Sequence, residues 1–344
     1  MQSAIAQRLP VRRWKQLGIG GLGNAQVFLG FLVVRIAPQR FVELDHGLGD
    51  LTLGQVKPAQ AIVSNRPLHL RLDDAWPNES LGLAVVDARR WGPRLRFSAP
   101  PHLVERFYRE HETELARPFL LYGSGDFHHL TALRLRPIAE PVVLVSFDNH
   151  PDWAVLSPKW ACGGWINRAL ELPNIRRATV WGCGNFECWW PHQIFGNRRA
   201  EGAGTLEVHP WADDRPVKDQ QRRGAILRDN WRQRFEEFSK CLSGENIYVT
   251  IDIDCLRLEE AVTNWESGRF TVSDLEWALG RLCESSRMVG GDLCGAYSPP
   301  SYARWTQRFA AEFDRPKLAP PNLETARAIN VATLEKLWPL LAGT

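Results

Sequence analysis

The stretch PVVLVSFDNHPD, residues 141–152, decides the fold of this chain. Its apolar run lies between a proline and several polar residues, which predicts a strand buried on both faces. Asp148, His150 and Asp152 follow at intervals of two, so in an extended chain their side chains project to one side. Two carboxylates and an imidazole at the end of a buried strand are costly to desolvate unless they hold a cation. The stretch therefore predicts a metal site at the end of a buried strand.

Outward from this stretch, apolar segments alternate with amphipathic ones along most of the chain. This alternation predicts an α/β fold with a parallel sheet covered on both faces. Further strands are predicted at 81–87, 118–122, 176–184, 245–256 and 286–295. Helices are predicted at 100–115, 165–170, 219–241, 271–283 (with Ser273 as its cap) and 324–341.

Composition narrows the class of protein. With 344 residues, 44% of them hydrophobic, the chain can bury a sizeable core. A net charge of +3 gives no argument for nucleic acid, and seven scattered cysteines are typical of reduced thiols in a cytoplasmic protein. Glycines and polar residues interrupt the partly apolar segment 17–37, which argues against a membrane span. We expect one domain over residues 1–344, with a disordered basic segment at 1–15.

Three predicted strand ends carry polar residues that metal sites use. Asp126, His128 and His129 follow the strand predicted at 118–122, with Asp126 as the cap of a helix. Asp252 and Asp254 lie at the end of the strand predicted at 245–256. In a parallel sheet these ends meet at one edge, together with the residues that follow the 141–152 strand. Carboxylates and imidazoles without a thiolate favour a hard divalent ion such as Mn²⁺. Two ions about 3.5–4 Å apart, sharing aspartates, would use all these ligands and activate water for hydrolysis at a trigonal carbon.

The motifs resemble those of the ureohydrolase (arginase/agmatinase) superfamily. GSGDFHH at 123–129, DNHPD at 148–152 and TIDID at 250–254 are similar, in the same order, to its three ligand motifs. The resemblance implies a three-layer α/β/α fold with a mostly parallel central sheet, two Mn²⁺ ions and hydrolysis of guanidino C–N bonds. Members of the family form trimers or hexamers, which implies a homo-oligomer. The implied metal ligands are His128, Asp148, His150, Asp152, Asp252 and Asp254.

The resemblance also implies catalytic roles. An extra residue before the histidines leaves His128 and His129 both open as the first ligand. By analogy, Asp152 takes a proton from the attacking water and passes it to the leaving amine. If His128 is the ligand, His129 would relay protons to solvent.

Departures from the family pattern point to an unusual substrate. The family motif that grips a free amino acid is missing, and Gly295 stands where the family has a guanidinium-binding glutamate. Asp292 would either take over that glutamate's role or be a structural carboxylate. Tryptophans bordering the cleft would hold a peptide backbone or remain core residues; they are Trp153, Trp160, Trp165, Trp189 and Trp190. The leading hypothesis is a peptide arginase that converts arginine residues of a ribosomal peptide to ornithine and urea, with Asp292 and Trp165 as substrate-binding residues.

Three alternatives remain open. One is a ureohydrolase acting on a small free guanidino, formimino or amide compound. Another is a relative of the zinc deacetylases, which share this superfamily's fold, although four aspartates favour two ions over one. The last is a binding protein that has kept the fold without catalysis.

Overall fold

A computed structural model describes residues 66–78 and 80–343 of the chain. All of these residues fall within one structural unit. The basic segment predicted at 1–15 lies outside the described residues, and the prediction of a single domain over 1–344 stays a prediction.

The described residues form an eight-stranded sheet in which every pair of neighbouring strands is parallel, as the alternation predicts. The order across the sheet is β2-β1-β3-β8-β7-β4-β5-β6, so the last strand in sequence lies near the middle. The strands are β1 (Leu68–Arg71), β2 (Ala84–Asp87), β3 (Phe119–Tyr122), β4 (Val142–Phe147), β5 (Ile175–Cys183), β6 (Leu206–Pro210), β7 (Asn246–Asp252) and β8 (Arg287–Cys294).

Helices connect these strands, and short 3-10 turns occur between them. Within the described ranges the α-helices are α1 (Gly92–Leu95), α2 (Pro101–Glu110), α3 (Glu112–Leu115), α4 (Thr131–Arg134), α5 (Trp165–Ala169), α6 (Arg198–Ala203), α7 (Val217–Gln220), α8 (Trp231–Lys240), α9 (Val272–Ser285), α10 (Trp305–Asp314) and α11 (Leu323–Ala342).

Two helix predictions need correction. The helix expected over 219–241 is reduced to α8, because Gly224 has a φ of +83° and a Cβ there would lie 2.4 Å from the Val208 carbonyl oxygen. The cap of α9 is Thr271 rather than Ser273. Thr271 and Asp274 form a reciprocal capping box, each side chain accepting the other residue's backbone N–H.

Apolar side chains cover the sheet on both faces. Strand β4 shows this directly, because Val142 and Leu144 pack into one core cluster while Val143, Val145 and Phe147 pack into another. Alternate residues of a strand point to opposite faces, so the two clusters lie on opposite sides of the sheet. The fold is therefore a three-layer α/β/α arrangement, and the parallel strands all end at one edge.

None of the helices in the part of the chain that the structure describes is long and apolar enough to cross a membrane.

Candidate metal centre and cleft

A first cluster of metal-ligand side chains surrounds His128, which lies in a 3-10 turn after β3. Its Nδ1 lies 3.0 Å from Asp148 Oδ2, 3.5 Å from Asp152 Oδ2 and 3.7 Å from Asp252 Oδ2. All four side chains are buried. They come from the ends of β3, β4 and β7, so the sheet edge gathers residues that are far apart in sequence.

A second cluster adjoins the first. His150 Nδ1 lies 2.9 Å from Asp254 Oδ2 and 3.6 Å from Asp148 Oδ1. Asp148 thus presents one oxygen to each histidine and is common to both clusters. The structure brings together all six residues that the resemblance implies as ligands, and of the two adjacent histidines it is His128 that joins the carboxylates.

Asp148, His150 and Asp152 do not all project to one side, as their spacing by two predicts for an extended chain. The chain does not stay extended after β4, because Asp152 has a φ of +46°, in the left-handed region that residues other than glycine rarely adopt. Asp152 therefore joins the His128 cluster, while His150 joins Asp254 in the other. Room for this arrangement comes from Gly125, where a Cβ would lie 2.4 Å from Asp252 Oδ2.

The donors fit a pair of hard divalent ions. Carboxylate oxygens and imidazole nitrogens suit Mn²⁺, and a carboxylate common to two clusters is how two neighbouring ions are bridged. The buried Nδ1 of His128 faces carboxylate oxygens of Asp148, Asp152 and Asp252, as expected of an atom that would bind a metal together with them. One donor differs from the prediction of a site without a thiol: the buried Cys294 Sγ lies 3.6 Å from Asp252 Oδ2, beside His128.

Burial and neighbouring charges shift the pKa values within the centre. Burial lowers the pKa of His128, but Asp148 and Asp152 outweigh burial and hold the pKa well above its usual value. Burial and the charge of Asp148 raise the pKa of Asp152 to about 7 and that of Asp252 to about 6. Protons therefore offset part of the carboxylate charge here, a role that a divalent cation would take over.

Neither His129 nor Asp126 occupies its predicted place. His129 is fully buried, neither of its ring nitrogens has a hydrogen-bond partner among the described residues, and burial lowers its pKa to about 3. The predicted proton relay from His129 to solvent does not fit this position. Asp126 does not cap a helix; its carboxylate binds Arg96 Nε at 2.6 Å and also contacts Arg315.

Asp292 also lies outside the cleft, so its predicted contact with substrate does not fit the structure. Its side chain is fully buried and accepts hydrogen bonds from several residues around it. The donors are Tyr122 (3.3 Å), Thr131 (3.2 Å), Arg134 (3.3 Å), Tyr248 (2.5 Å) and Thr250 (2.5 Å). Of the two roles open from the sequence, the structural carboxylate is the one that the contacts support.

Trp165 is fully buried as well, and its predicted contact with substrate needs the same correction. Its Nε1 donates to Asp152 Oδ2 at 2.6 Å, and its ring packs against His128 with centroids 4.6 Å apart. Of the other tryptophans expected near the cleft, only Trp190 is exposed, at 75%; Trp153, Trp160 and Trp189 are core residues.

A narrow cleft opens above the two clusters. Besides the predicted ligands, it is lined by Glu187, Glu266 and Asp314, three carboxylates that the sequence analysis did not single out. Glu266 Oε2 lies 3.3 Å from His150 Nε2. The three lie in different loops and helices, so no local spacing in the sequence marks them.

Comparisons with known proteins agree with this fold. No family model matches the chain. An uncharacterised protein of Thermotoga maritima is 29% identical over 205 residues, which cover 60% of this chain and 68% of that protein. A crystal structure from Clostridium difficile, provisionally assigned as an agmatinase, covers 81% of this chain and 98% of its own, with a TM-score of 0.50 and 15% identity. At such identity, the likeness shows an arginase-like α/β fold.

The proclavaminate amidino hydrolase of Streptomyces clavuligerus is similar over 81% of this chain and 92% of its own. Its TM-score is 0.49 and its identity is 13%, so it adds no separate argument.

Proposed function

We propose that this chain is a hydrolase with two divalent metal ions, Mn²⁺ by preference, that cleaves guanidino C–N bonds. The observation that carries the proposal is the pair of clusters that share Asp148 at the base of a cleft. His128, Asp152 and Asp252 would complete one ion's ligands, and His150 and Asp254 the other's. When bound, the two ions would activate a water molecule and stabilise charge that develops at a trigonal carbon.

The charge of the cleft favours a cationic substrate. Two divalent ions would balance the four aspartates of the clusters, and Glu187 and Asp314 would remain as additional carboxylates. Neither has a hydrogen-bonded or ion-paired side-chain partner among the described residues. Burial raises the pKa of Glu187 to about 8 and that of Asp314 to about 6, and carboxylates nearby add to the effect. A guanidinium placed between them would favour their charged forms and gain charge-assisted hydrogen bonds.

Within this class we infer that the substrate is an arginine residue inside a peptide. No arginine or lysine lines the cleft in the described part of the chain, so the α-carboxylate of free arginine would find no cation there. In a peptide that carboxylate is an amide and carries no charge.

The surface beside the cleft also suits a peptide. Exposed apolar side chains lie on two loops that pair through the Val155 N–H and the Phe195 carbonyl at 2.9 Å. One of these loops continues from Asp152, and the other follows Glu187, so both adjoin residues that line the cleft. The exposed residues are Val155, Leu156, Trp190, Ile194 and Phe195.

The proposed reaction adds one water to the guanidinium carbon and breaks the bond to the side-chain nitrogen. The products are urea and the protonated amine of ornithine, so atoms and charge balance. By analogy with the family, Asp152 would take a proton from the water and pass it to the leaving nitrogen. The indole N–H of Trp165 holds this carboxylate in place.

The test is metal analysis of the purified chain combined with urea release from three substrates. An arginine-containing peptide is compared with free arginine and with agmatine, a guanidino amine that has no carboxylate. We expect two Mn²⁺ ions per chain and urea from the peptide. Urea from agmatine alone would replace the peptide with a small guanidino substrate. Urea from none of the three would contradict guanidino hydrolysis.

A further inference from the structure

The two histidines of the centre are held by different partners. His150 Nε2 lies 3.3 Å from Glu266, whose side chain is 41% exposed at the cleft. His128 Nε2 instead lies 2.8 Å from Thr250 Oγ1 in the interior, and Thr250 Oγ1 lies 2.5 Å from Asp292 Oδ1. His128 is thus linked through a hydroxyl to a carboxylate that lines no part of the cleft.

The direction of these hydrogen bonds follows from their chemistry. A carboxylate only accepts hydrogen bonds, so the Thr250 hydroxyl donates its one hydrogen to Asp292. The hydroxyl oxygen then accepts from His128, which places a hydrogen on Nε2. In the neutral ring Nδ1 is therefore free of hydrogen, and Nδ1 is the atom that faces Asp148, Asp152 and Asp252. The ring is presented with its lone pair toward the carboxylates.

The carboxylate at the end of this chain of hydrogen bonds is fixed independently of His128. Tyr248 and Arg134 both bind Asp292 Oδ2, while Thr250 binds Oδ1. Arg134 is itself anchored on the Gly291 carbonyl at 2.7 Å. Asp292 therefore holds one orientation, and it gives Thr250 only one direction in which to donate.

We propose that Asp292, acting through Thr250, is a positioning residue that keeps His128 Nδ1 free for one of the two metal ions. The inference rests on the proposed function, since it assumes the two-ion centre. Partners of this kind around metal-binding histidines are worth about 10- to 100-fold in metal affinity. The effect is confined to the ion at His128, because His150 has a separate partner in Glu266.

The test uses Thr250→Val, which keeps the shape and strand preference of the side chain and removes the hydroxyl. The matched control is Thr179→Val on β5, a buried threonine whose hydroxyl has no hydrogen-bond partner among the described residues. Thr250→Ser restores the hydroxyl and serves as the conservative variant. Thr250→Ala provides a second variant without the hydroxyl, should the valine disturb folding. Mn²⁺ binding is followed by titration and by electron paramagnetic resonance, which separates single from coupled ions.

We expect two ions per chain in the unaltered protein, in Thr179→Val and in Thr250→Ser. In Thr250→Val, affinity for one ion should fall about 10- to 100-fold, and the spectrum at limiting Mn²⁺ should change from coupled to single ions. Equal binding of both ions in Thr250→Val and Thr250→Ala would overturn the inference and leave the proposed function intact. Absence of bound metal in the unaltered protein would overturn both.

The hydrogen bond between Thr250 and Asp292 is tested separately with Asp292→Asn. We expect the same single-ion loss, because an amide has only one acceptor oxygen. When Tyr248 and Arg134 hold that oxygen, the NH₂ group faces Thr250, and the hydroxyl loses its acceptor. Thr131→Val is the control, since the Thr131 hydroxyl also donates to Asp292, while Thr131 contacts His128 through its backbone N–H, which the substitution keeps. Retention of both ions by Asp292→Asn, or their loss in Thr131→Val, would contradict a role for this carboxylate in positioning His128.

Discussion

The His128 half and the His150 half of the candidate centre contain the same kinds of donors in different surroundings. His128 is 1% exposed, packs against Trp165 and is held from the interior. The side chain of His150 is 13% exposed, faces the cleft and is held by a partly exposed glutamate. A buried ligand set is expected to exchange its ion slowly, whereas a set at a cleft is available to substrate. The two halves therefore differ in access although they share Asp148.

The largest effect is expected where the two halves are joined. Asp148→Asn should abolish binding of both ions and all urea release, because each half loses a carboxylate oxygen. Metal analysis after dialysis checks the stoichiometry, with Asp87→Asn, an exposed residue at the end of β2, as the control. Retention of one tightly bound ion would show that Asp148 is not shared.

Chelation should separate the halves in time. Loss of Mn²⁺ to a chelator is expected in two phases, with the ion at His150 leaving first through the cleft. The coupled resonance spectrum should disappear during the fast phase, leaving the spectrum of a single ion. A single phase for both ions would mean that burial of His128 gives no kinetic protection.

Substrate binding should depend on Glu187, a carboxylate that lines the cleft. Glu187→Gln is expected to raise KM for a guanidino substrate about tenfold, the size of one hydrogen bond to a charged group, with metal content unchanged. Steady-state kinetics with the arginine peptide checks this prediction. Glu259→Gln makes the same change at an exposed glutamate that does not line the cleft and serves as the control. An unchanged KM in Glu187→Gln would exclude this carboxylate from substrate recognition.

The contact between Glu266 and His150 can be weakened without changing a predicted metal ligand. Glu266→Gln should lower affinity for the ion at His150 by about tenfold, the smaller end of the usual range, because Glu266 is partly exposed. Mn²⁺ titration measures the change, and Glu259→Gln, at an exposed glutamate that does not line the cleft, is the control. Weaker binding of the ion at His128 instead would contradict the pairing of Glu266 with His150.

The smallest effect concerns the metal-free protein. The pKa of Asp152 is raised to about 7 in the fold, so the folded state binds a proton that the unfolded state releases near pH 4. This stabilisation is complete below about pH 4 and is lost as the pH rises toward 7. In metal-free Asp152→Asn, which cannot titrate at this position, the unfolding free energy should lack this contribution, so its difference from the unaltered protein should vary with pH over that window. Urea denaturation checks it; a constant difference would contradict the raised pKa.

The sequence predicted the fold and the gathering of ligand residues more fully than the roles of single side chains. Buried parallel strands leave long apolar runs, and their polar ends must meet at one edge, so Asp148 and Asp252 were predictable neighbours. Roles depend on which way a side chain faces after the strand ends. The left-handed φ of Asp152 and the inward position of Asp292 leave no pattern in the sequence.

Hydrogen-bond partners on neighbouring strands are equally hard to predict from the sequence. Thr250 and Asp292 lie on neighbouring strands at paired positions, yet they are separated by more than forty residues in sequence. Cys294 reaches Asp252 in the same way, through the pairing of β7 with β8. Such contacts become visible only when the strand order is known.

The position of β8 in the middle of the sheet affects how the chain folds. Strands β1 to β3 and strands β4 to β7 emerge from the ribosome first, and each group has an unpaired edge until residues 287–294 enter between β3 and β7. Joining them requires contacts that span more than 160 residues, which are slow to form and leave sheet edges open to wrong partners. Since His128 follows β3 and Asp252 ends β7, metal capture would report that this final insertion has taken place.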